Sequence, residues 1–441
     1  MKISLGKDVF SVRDGNPFNR EIDLQKVINP HMFIVGGSGT GKTYNLIKLA
    51  NVLSSFGIKV HIFDVHGDIE PQNASTVKFS ETSPYGINPF EVSSDPDYGG
   101  VRKTVRNFIS SINRTSRKLG PNQEAVLERV LYELFSANGF YKDDPKTWSL
   151  DYDPRTWSKY PKKYPNLPDL RKFLASKLNY IFYGTSNKCM QELEKLKKER
   201  QKLLRLLKKA GKEKTLETEE IQKRIEIIKS NMIEYFTNAV KDIDTGYELE
   251  NLIAYDSPDT VKGLLNRIST LENSGIFKSK APDFDPSSNI LRYNISPLGR
   301  DEQKMFVDIM SRKIFEKARE RGVVSLPEEF IIIDEAAIFL QDAEPDYILN
   351  VIAREARKFG LGLILATQSM NHIPEDIIDS TATKIILGVD EQKMDIISRK
   401  LQIDKKVLSY IKPKETALVQ SKHSDSKNPY RMVYINIERS K

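Results

Sequence analysis

The sequence predicts an α/β fold built on a mainly parallel sheet and interrupted by a mostly helical insertion. Three observations carry that expectation. An apolar run, a glycine-rich loop, a helical pattern and a second apolar run follow one another within residues 32–64. Apolar runs alternate with helical patterns again over 289–387, and the long stretch between these regions has helical texture throughout.

Taken in order, residues 1–30 read as short strands and turns ending at Asn29-Pro30, and Met32-Phe-Ile-Val35 as a buried strand. Gly36 to Thr43 is the loop, and Tyr44 to Phe56 is a helix with apolar positions at Leu46, Ile47, Leu49, Ala50 and Leu53. Ile58 to Phe63 is the next strand, running into Asp64-Val-His-Gly-Asp68, so the chain opens with a βαβ unit. Beyond residue 100 the patterns lengthen into helices, broken by a loop rich in Pro, Trp, Tyr and Lys between Asp144 and Pro168.

From Asn187 to about Asp242 the spacing predicts a charged helical hairpin. Leu193, Leu196, Leu203 and Leu207 line one arm, Ala210-Gly211 turns the chain, and Ile221, Ile225, Ile228 and Met232 line the other. A hairpin packed on itself is preferred to an arm that contacts DNA or a partner. Strands resume at Asn289–Ile295, Glu329–Ile333, Leu361–Ala366 and Thr383–Leu387, with helices at about 301–321 and 347–359. The domain expectation is a discontinuous core, 1–100 and 286–441, with an inserted subdomain at 101–285.

Composition narrows the class. With 39% hydrophobic and 29% charged residues the chain reads as globular, and no apolar run approaches the roughly 18 residues of a membrane span. The opening Met1-Lys-Ile-Ser-Leu does not resemble a signal peptide. The single Cys189 excludes an intrachain disulfide and any thiolate metal cluster, so a reducing cytoplasm is the expected location. The net charge of +8 invites a nucleic-acid partner, but residues 191–214 alone hold ten Lys/Arg against four Asp/Glu. Most of the excess therefore belongs to one helix, where a solvated face is the plainer explanation.

The chemistry concentrates in four segments. Gly36-Gly37-Ser38-Gly39-Thr40-Gly41-Lys42-Thr43 fits G-x-x-x-x-G-K-[ST], in which glycines let backbone N–H groups surround phosphates at a helix N-terminus. Lys42 is expected to reach the β- and γ-phosphates of ATP, and Thr43 to bind Mg2+ through its hydroxyl. Phe330-Ile-Ile-Ile-Asp334-Glu335 is an apolar strand delivering two carboxylates, Asp334 for the Mg2+ shell and Glu335 to polarise the attacking water. The adjacent Glu argues against a switch GTPase, and no Asn-Lys-x-Asp segment occurs.

Leu361 to Gln368 ends another apolar strand in polar side chains. Gln368 is placed either near the γ-phosphate or as an ordinary strand cap. Arg354 and Arg357 lie three residues apart on one helix face. A guanidinium on an exposed edge suits stabilisation of a neighbouring subunit's γ-phosphoryl charge, with Arg357 the first choice and Arg354 the second; a surface helix with ion pairs is the plainer alternative.

These segments, together with Ile62-Phe-Asp-Val-His-Gly-Asp68, resemble the HerA and FtsK class of ring-forming ATPases, which also includes ATPases of conjugative transfer. The resemblance covers about residues 30–80 and 290–440, and Gly263 to Phe277 is faintly similar to the conjugative branch. It implies a RecA-like P-loop NTPase core, a hexameric ring, ATP hydrolysis at subunit interfaces and translocation on double-stranded DNA, with a nuclease or other effector as partner. Transfer of protein or a DNA–protein substrate is the alternative. It implies that Lys42 and Thr43 bind nucleotide and Mg2+, that Asp334 and Glu335 serve hydrolysis, that Gln368 senses the γ-phosphate and Arg357 acts in trans, and that Tyr44, Asp64, His66 and Asp68 join the glycine loop around the nucleotide. Three departures stand out. Asp68 replaces the family's usual Glu, about thirty residues before the loop leave no room for the β-barrel of archaeal HerA proteins, and the membrane helices of FtsK and coupling proteins have no counterpart.

Overall fold

The computed structural model describes residues 1–151, 162–183, 187–213, 219–241, 258–278, 280–341, 346–423 and 429–435. The Pro/Trp/Tyr/Lys loop expected at 144–168 therefore lies partly outside the described residues. Contacts divide the chain into two compact units, one of residues 1–118, 139–166 and 271–441, the other of 119–138 and 167–270.

The first unit holds the sheet. Its elements in chain order are β1 (Lys2–Asp8), α1 (Val9–Arg13), β2 (Asn19–Asp23), β3 (Met32–Val35), α2 (Lys42–Ser55), β4 (Lys59–Asp64), β5 (Ser75–Lys78) and α3 (Val101–Thr115). The second unit supplies α4 (Pro121–Ala137), α5 (Leu167–Tyr183), α6 (Asn187–Glu213), α7 (Glu219–Lys241) and most of α8 (Pro258–Asn273). The first unit resumes with β6 (Ile290–Asn294), α9 (Arg300–Arg321), β7 (Glu329–Ile333), α10 (Ala337–Leu340) and α11 (Ile348–Glu355). A 3-10 turn over Ala356–Phe359 leads to β8 (Leu361–Thr367), α12 (Glu375–Asp379), β9 (Thr383–Ile386), α13 (Glu391–Leu401), α14 (Lys405–Ser409), β10 (Thr416–Ser421) and β11 (Arg431–Tyr434).

Among the described residues eleven strands form one sheet in the order β2-β1-β11-β10-β9-β3-β8-β7-β4-β6-β5. From β9 to β5 every pairing is parallel, and from β9 outward through β10, β11, β1 and β2 every pairing is antiparallel. The central strands read as unbroken apolar runs because helices cover both faces; all residues of β3 and β8 are buried. On one face Leu46, Leu49, Ala50 and Leu53 of α2 pack against Ile34, Val60, Ile62 and Ile364. On the other, Phe306 of α9 meets the rings of Phe63, Phe79 and Tyr293 at centroid separations of 4.5–6.1 Å. This is the RecA-like mixed sheet with flanking helices that the sequence predicts.

Helix α3 belongs to the sheet-bearing unit through a buried charge network. Asp308 of α9, fully inaccessible, accepts from Ser111 and pairs with Arg312 at 3.3 Å, while the Arg114 guanidinium stands at 3.9 Å.

In the second unit Val126, Leu127, Val130, Leu131, Leu134 and Phe135 form the buried face of α4. Helices α6 and α7 pack along each other. Two details differ from the sequence expectation. Helix α6 continues through Ala210-Gly211 to Glu213, since packing of a long helix readily absorbs the roughly 1 kcal/mol disadvantage of one interior glycine. Leu206 is half-buried while Leu207 is 38% exposed, and the stripe runs Leu196, Glu199, Leu203, Leu206, with Glu199 buried and bonded to Lys202 at 2.6 Å. No helix among the described residues is long and apolar enough to cross a membrane.

Candidate nucleotide site

The parallel strands all point their C-terminal ends toward one edge, and the glycine loop leaves β3 there. Gly36 N–H donates to the Thr367 carbonyl at 3.2 Å and Gly37 N–H to the Gly388 carbonyl at 2.9 Å, which ties the loop to β8 and to the end of β9. A Cβ on Gly36 would lie 2.4 Å from Thr40 Oγ1, so no larger residue fits without displacing that hydroxyl, which itself donates to the Gly37 carbonyl at 2.9 Å. Gly41 occupies the N-cap of α2 with φ 102° and offers no side-chain cap. The first N–H groups of α2 are therefore open to an anion.

An open cleft of about 920 Å³ lies over this loop, lined by Ser38, Gly39, Gly41, Lys42, Thr43, Tyr44, His66, Asp68, Asp334, Gln368 and the turn Pro413-Lys414-Glu415. Lys42 Nζ donates to the carbonyls of Gly36 and Gly37, each at 3.0 Å. Burial pulls its pKa down, against the opposing pull of Asp334 and Glu335. Thr43 Oγ1 donates to Asp68 Oδ2 at 3.3 Å.

Asp334 is 4% exposed, and burial raises its pKa; the Glu335 N–H, donating to Oδ1 at 2.8 Å, and nearby His66 act in the other direction. Glu335 has φ 52°, a left-handed backbone rare for a residue with a side chain. Its Oε1 accepts weakly from Gln368 N–H at 3.5 Å, while the buried Oε2 has no partner among the described residues.

Lys42, Thr43, Tyr44, His66, Asp68, Asp334 and Gln368 thus share one cleft, and Gly36, Gly37 and Thr40 shape its loop. Asp64 does not line it. Its fully buried carboxylate accepts from the N–H groups of Gly67 (2.7 Å) and Ile69 (3.2 Å) and from Arg292 Nε (2.9 Å), while Arg292 Nη2 also donates to the Gly67 carbonyl at 2.9 Å. Asp64 holds the loop that presents His66 and Asp68. Arg354 and Arg357 are exposed and precede β8, so they lie at the opposite edge of the sheet, about 20 Å along that strand. Arg357 instead stands near buried His31. Burial, reinforced by that guanidinium, lowers the His31 pKa to about 4, and His31 Nδ1 accepts from Leu363 N–H at 3.1 Å.

Sequence reasoning missed Arg292 and the turn at Pro413-Lys414-Glu415. A charged residue inside Ile290-Leu-Arg-Tyr-Asn294 was a usable signal, because a buried guanidinium requires a carboxylate partner. Nothing in the local sequence marks Lys414.

The donor set suits Mg2+. A hydroxyl and one or two carboxylates at the loop are what that ion takes when phosphates and water complete its octahedron. Among the described residues no group of three or more His, Cys, Asp or Glu side chains forms a protein-only metal cage.

The family profile described as "Helicase HerA, central domain" matches residues 13–154. The DNA import protein CedB of Sulfolobus acidocaldarius is 35% identical over 121 residues, 26% of this chain and 19% of that protein. The DNA double-strand break repair helicase HerA of Saccharolobus solfataricus is 37% identical over 84 residues, 18% of this chain and 16% of that protein. These matches span less than a fifth of either relative. In fold, VirB4 of Thermoanaerobacter pseudethanolicus aligns over 98% of this chain and 96% of its own, with a TM-score of 0.63 at 15% identity. The HerA central-domain match takes in the glycine loop with β3, α2 and β4, and over nearly its whole length the chain is similar in fold to VirB4.

Proposed function

We propose that this chain is an ATP-hydrolysing, ring-forming motor that drives the transfer of DNA or a DNA–protein substrate. The observation that carries the reading is the convergence of Lys42, Thr43, Asp68, Asp334 and Gln368 on one cleft at the C-terminal edge of a parallel sheet. When bound, ATP with Mg2+ supplies the phosphoanhydride and the charge that the metal neutralises.

The chain's own residues do the rest. The open N-terminus of α2 and the loop N–H groups hold the phosphates, and Lys42 exchanges its two carbonyl partners for the β- and γ-oxygens. Thr43 and Asp334 would hold the Mg2+. Glu335, with one buried oxygen unengaged, takes the proton of the attacking water. Gln368, whose backbone N–H already contacts Glu335, reports the γ-phosphate to β8. Arg357, and second to it Arg354, sits too far along β8 to serve its own cleft, which supports action on the site of a neighbouring subunit in a head-to-tail ring.

Transfer is placed ahead of duplex unwinding because the VirB4 likeness runs the length of the chain, helical unit included, and CedB is described as a DNA import protein. Duplex translocation that feeds a nuclease or other effector is the second reading, favoured by the HerA central-domain match. ATPase rate with and without duplex DNA, together with the mass of the assembly, tests the motor reading. A monomer whose turnover ignores every nucleic acid and every candidate protein substrate overturns it. Strand separation of a forked duplex moves preference to the second reading.

A further inference from the structure

Building on the nucleotide reading above, we infer that Lys414 is a positioning residue for the ribose and α-phosphate end of the nucleotide. The cleft has two sides. Asp334 follows β7, Gln368 follows β8 and Asp68 lies beyond β4, all on one side of β3 in the sheet order. That side gathers the metal ligand and the candidate hydrolytic groups, so it receives the γ-phosphate. The other side, beyond β9, is the turn that opens β10. A nucleotide whose γ-phosphate faces Asp334 directs its ribose there.

The turn is built to stay in place. Lys412 carbonyl accepts from Glu415 N–H at 3.1 Å and from Thr416 N–H at 2.9 Å, and Lys412 N–H donates to Thr416 Oγ1 at 2.8 Å. It is also fastened to the glycine loop. Gly388, which accepts from Gly37 N–H, has no Cβ; one built there would meet Pro413 Cγ at 3.3 Å and Thr40 Cγ2 at 3.5 Å. Pro413 and the loop threonine therefore close on the same glycine, and Lys414 is held at a fixed place relative to the phosphate cradle.

Lys414 itself has φ 67°, a conformation that glycine or asparagine adopts with least strain. A lysine in that position lines the nucleotide cleft with a mobile point charge matched to a phosphate oxygen. Because it acts at the end that ATP and ADP share, it contributes equally to both and leaves the hydrolytic step untouched.

Calorimetric titration of the full chain with Mg2+ and either AMP-PNP or ADP tests this. Lys414→Gly keeps the left-handed turn while removing the ammonium. It is expected to weaken both nucleotides by the same factor, about three- to tenfold for an exposed charge-assisted contact, with kcat at saturating ATP unchanged. Lys414→Arg restores most of the affinity. Lys406→Ala, which removes the same charge from an exposed lysine of α14 that does not line the cleft, binds as wild type does. The inference is overturned if Lys414→Gly binds both nucleotides normally, if the loss is confined to AMP-PNP, or if Lys406→Ala reproduces it. Wild-type protein that binds neither nucleotide overturns the nucleotide reading itself, whereas binding abolished by Lys42→Ala upholds that reading whatever Lys414 does.

Discussion

Replacing Arg292 by Met removes the cation that holds the 64–69 loop, and the structure gives the size of the effect. The Arg292 side chain is 8% exposed and donates to Asp64 Oδ2, with Nη2 at 2.7 Å, and to the Gly67 carbonyl. Loss of one partner leaves the Asp64 carboxylate buried with only two backbone N–H donors, a situation that destabilises by about 3–5 kcal/mol. Asp64→Asn keeps the shape and some of the hydrogen bonds, so about 1–3 kcal/mol is expected. In the double variant Asp64→Asn/Arg292→Met no charge is stranded, and the summed single losses should exceed its own by about 2 kcal/mol or more. Urea unfolding reports this through Trp148, which is buried in the same unit, in a Trp157→Phe background. The same variants should lose affinity for Mg-nucleotide, because His66 and Asp68 are presented by that loop. Strict additivity of the two changes, or an Arg292→Met loss within the roughly 0.5 kcal/mol of a surface substitution, refutes the assignment.

Three further outcomes are expected. Glu335→Gln should bind ATP as wild type does while turnover falls at least about a hundredfold; unchanged turnover in a coupled ADP-release assay removes Glu335 from the base role. Gly36→Ala should weaken nucleotide binding by displacing Thr40 Oγ1, and a wild-type titration curve would show that the loop yields without loss. His31 and His61 are buried neutral, with pKa values lowered by burial to about 4 and about 3. Unfolded chains therefore take up more protons below the ordinary histidine value of 6.5, and stability is lost as pH falls from 6.5 toward 4, by about 1.4 kcal/mol per pH unit for each ring. Urea midpoints between pH 7.5 and 5 measure the slope, which His31→Gln should flatten.

The parts of the molecule written in consecutive residues were legible in the sequence. β3 and β7 are short apolar runs, one ending in the glycine loop and the other in Asp334-Glu335, and their boundaries follow from buried parallel strands having no polar face. The parts joined across the chain were not. Asp64 reads as a motif residue beside His66 and Asp68, yet its partner Arg292 arrives 228 residues later on the neighbouring strand. Likewise Lys414 reaches the cleft only because β10 returns antiparallel beside β9, a pairing that no local pattern announces. On α6 the buried stripe takes Leu206 where apolar spacing predicts Leu207, because the charged Glu199 fills one of its positions.

On the proposed head-to-tail reading, the lysine loop and the arginine pair at opposite edges of one sheet make each chain a donor and a recipient with no working unit of its own. Chains of two defective kinds, one lacking Lys42 and one lacking Arg357, are each inert alone. Mixed in equal amounts, about one junction in four joins an intact loop to an intact arginine, as a head-to-tail ring demands. Activity would then reappear from two dead populations, and its rise with total concentration would count the junctions rather than the chains.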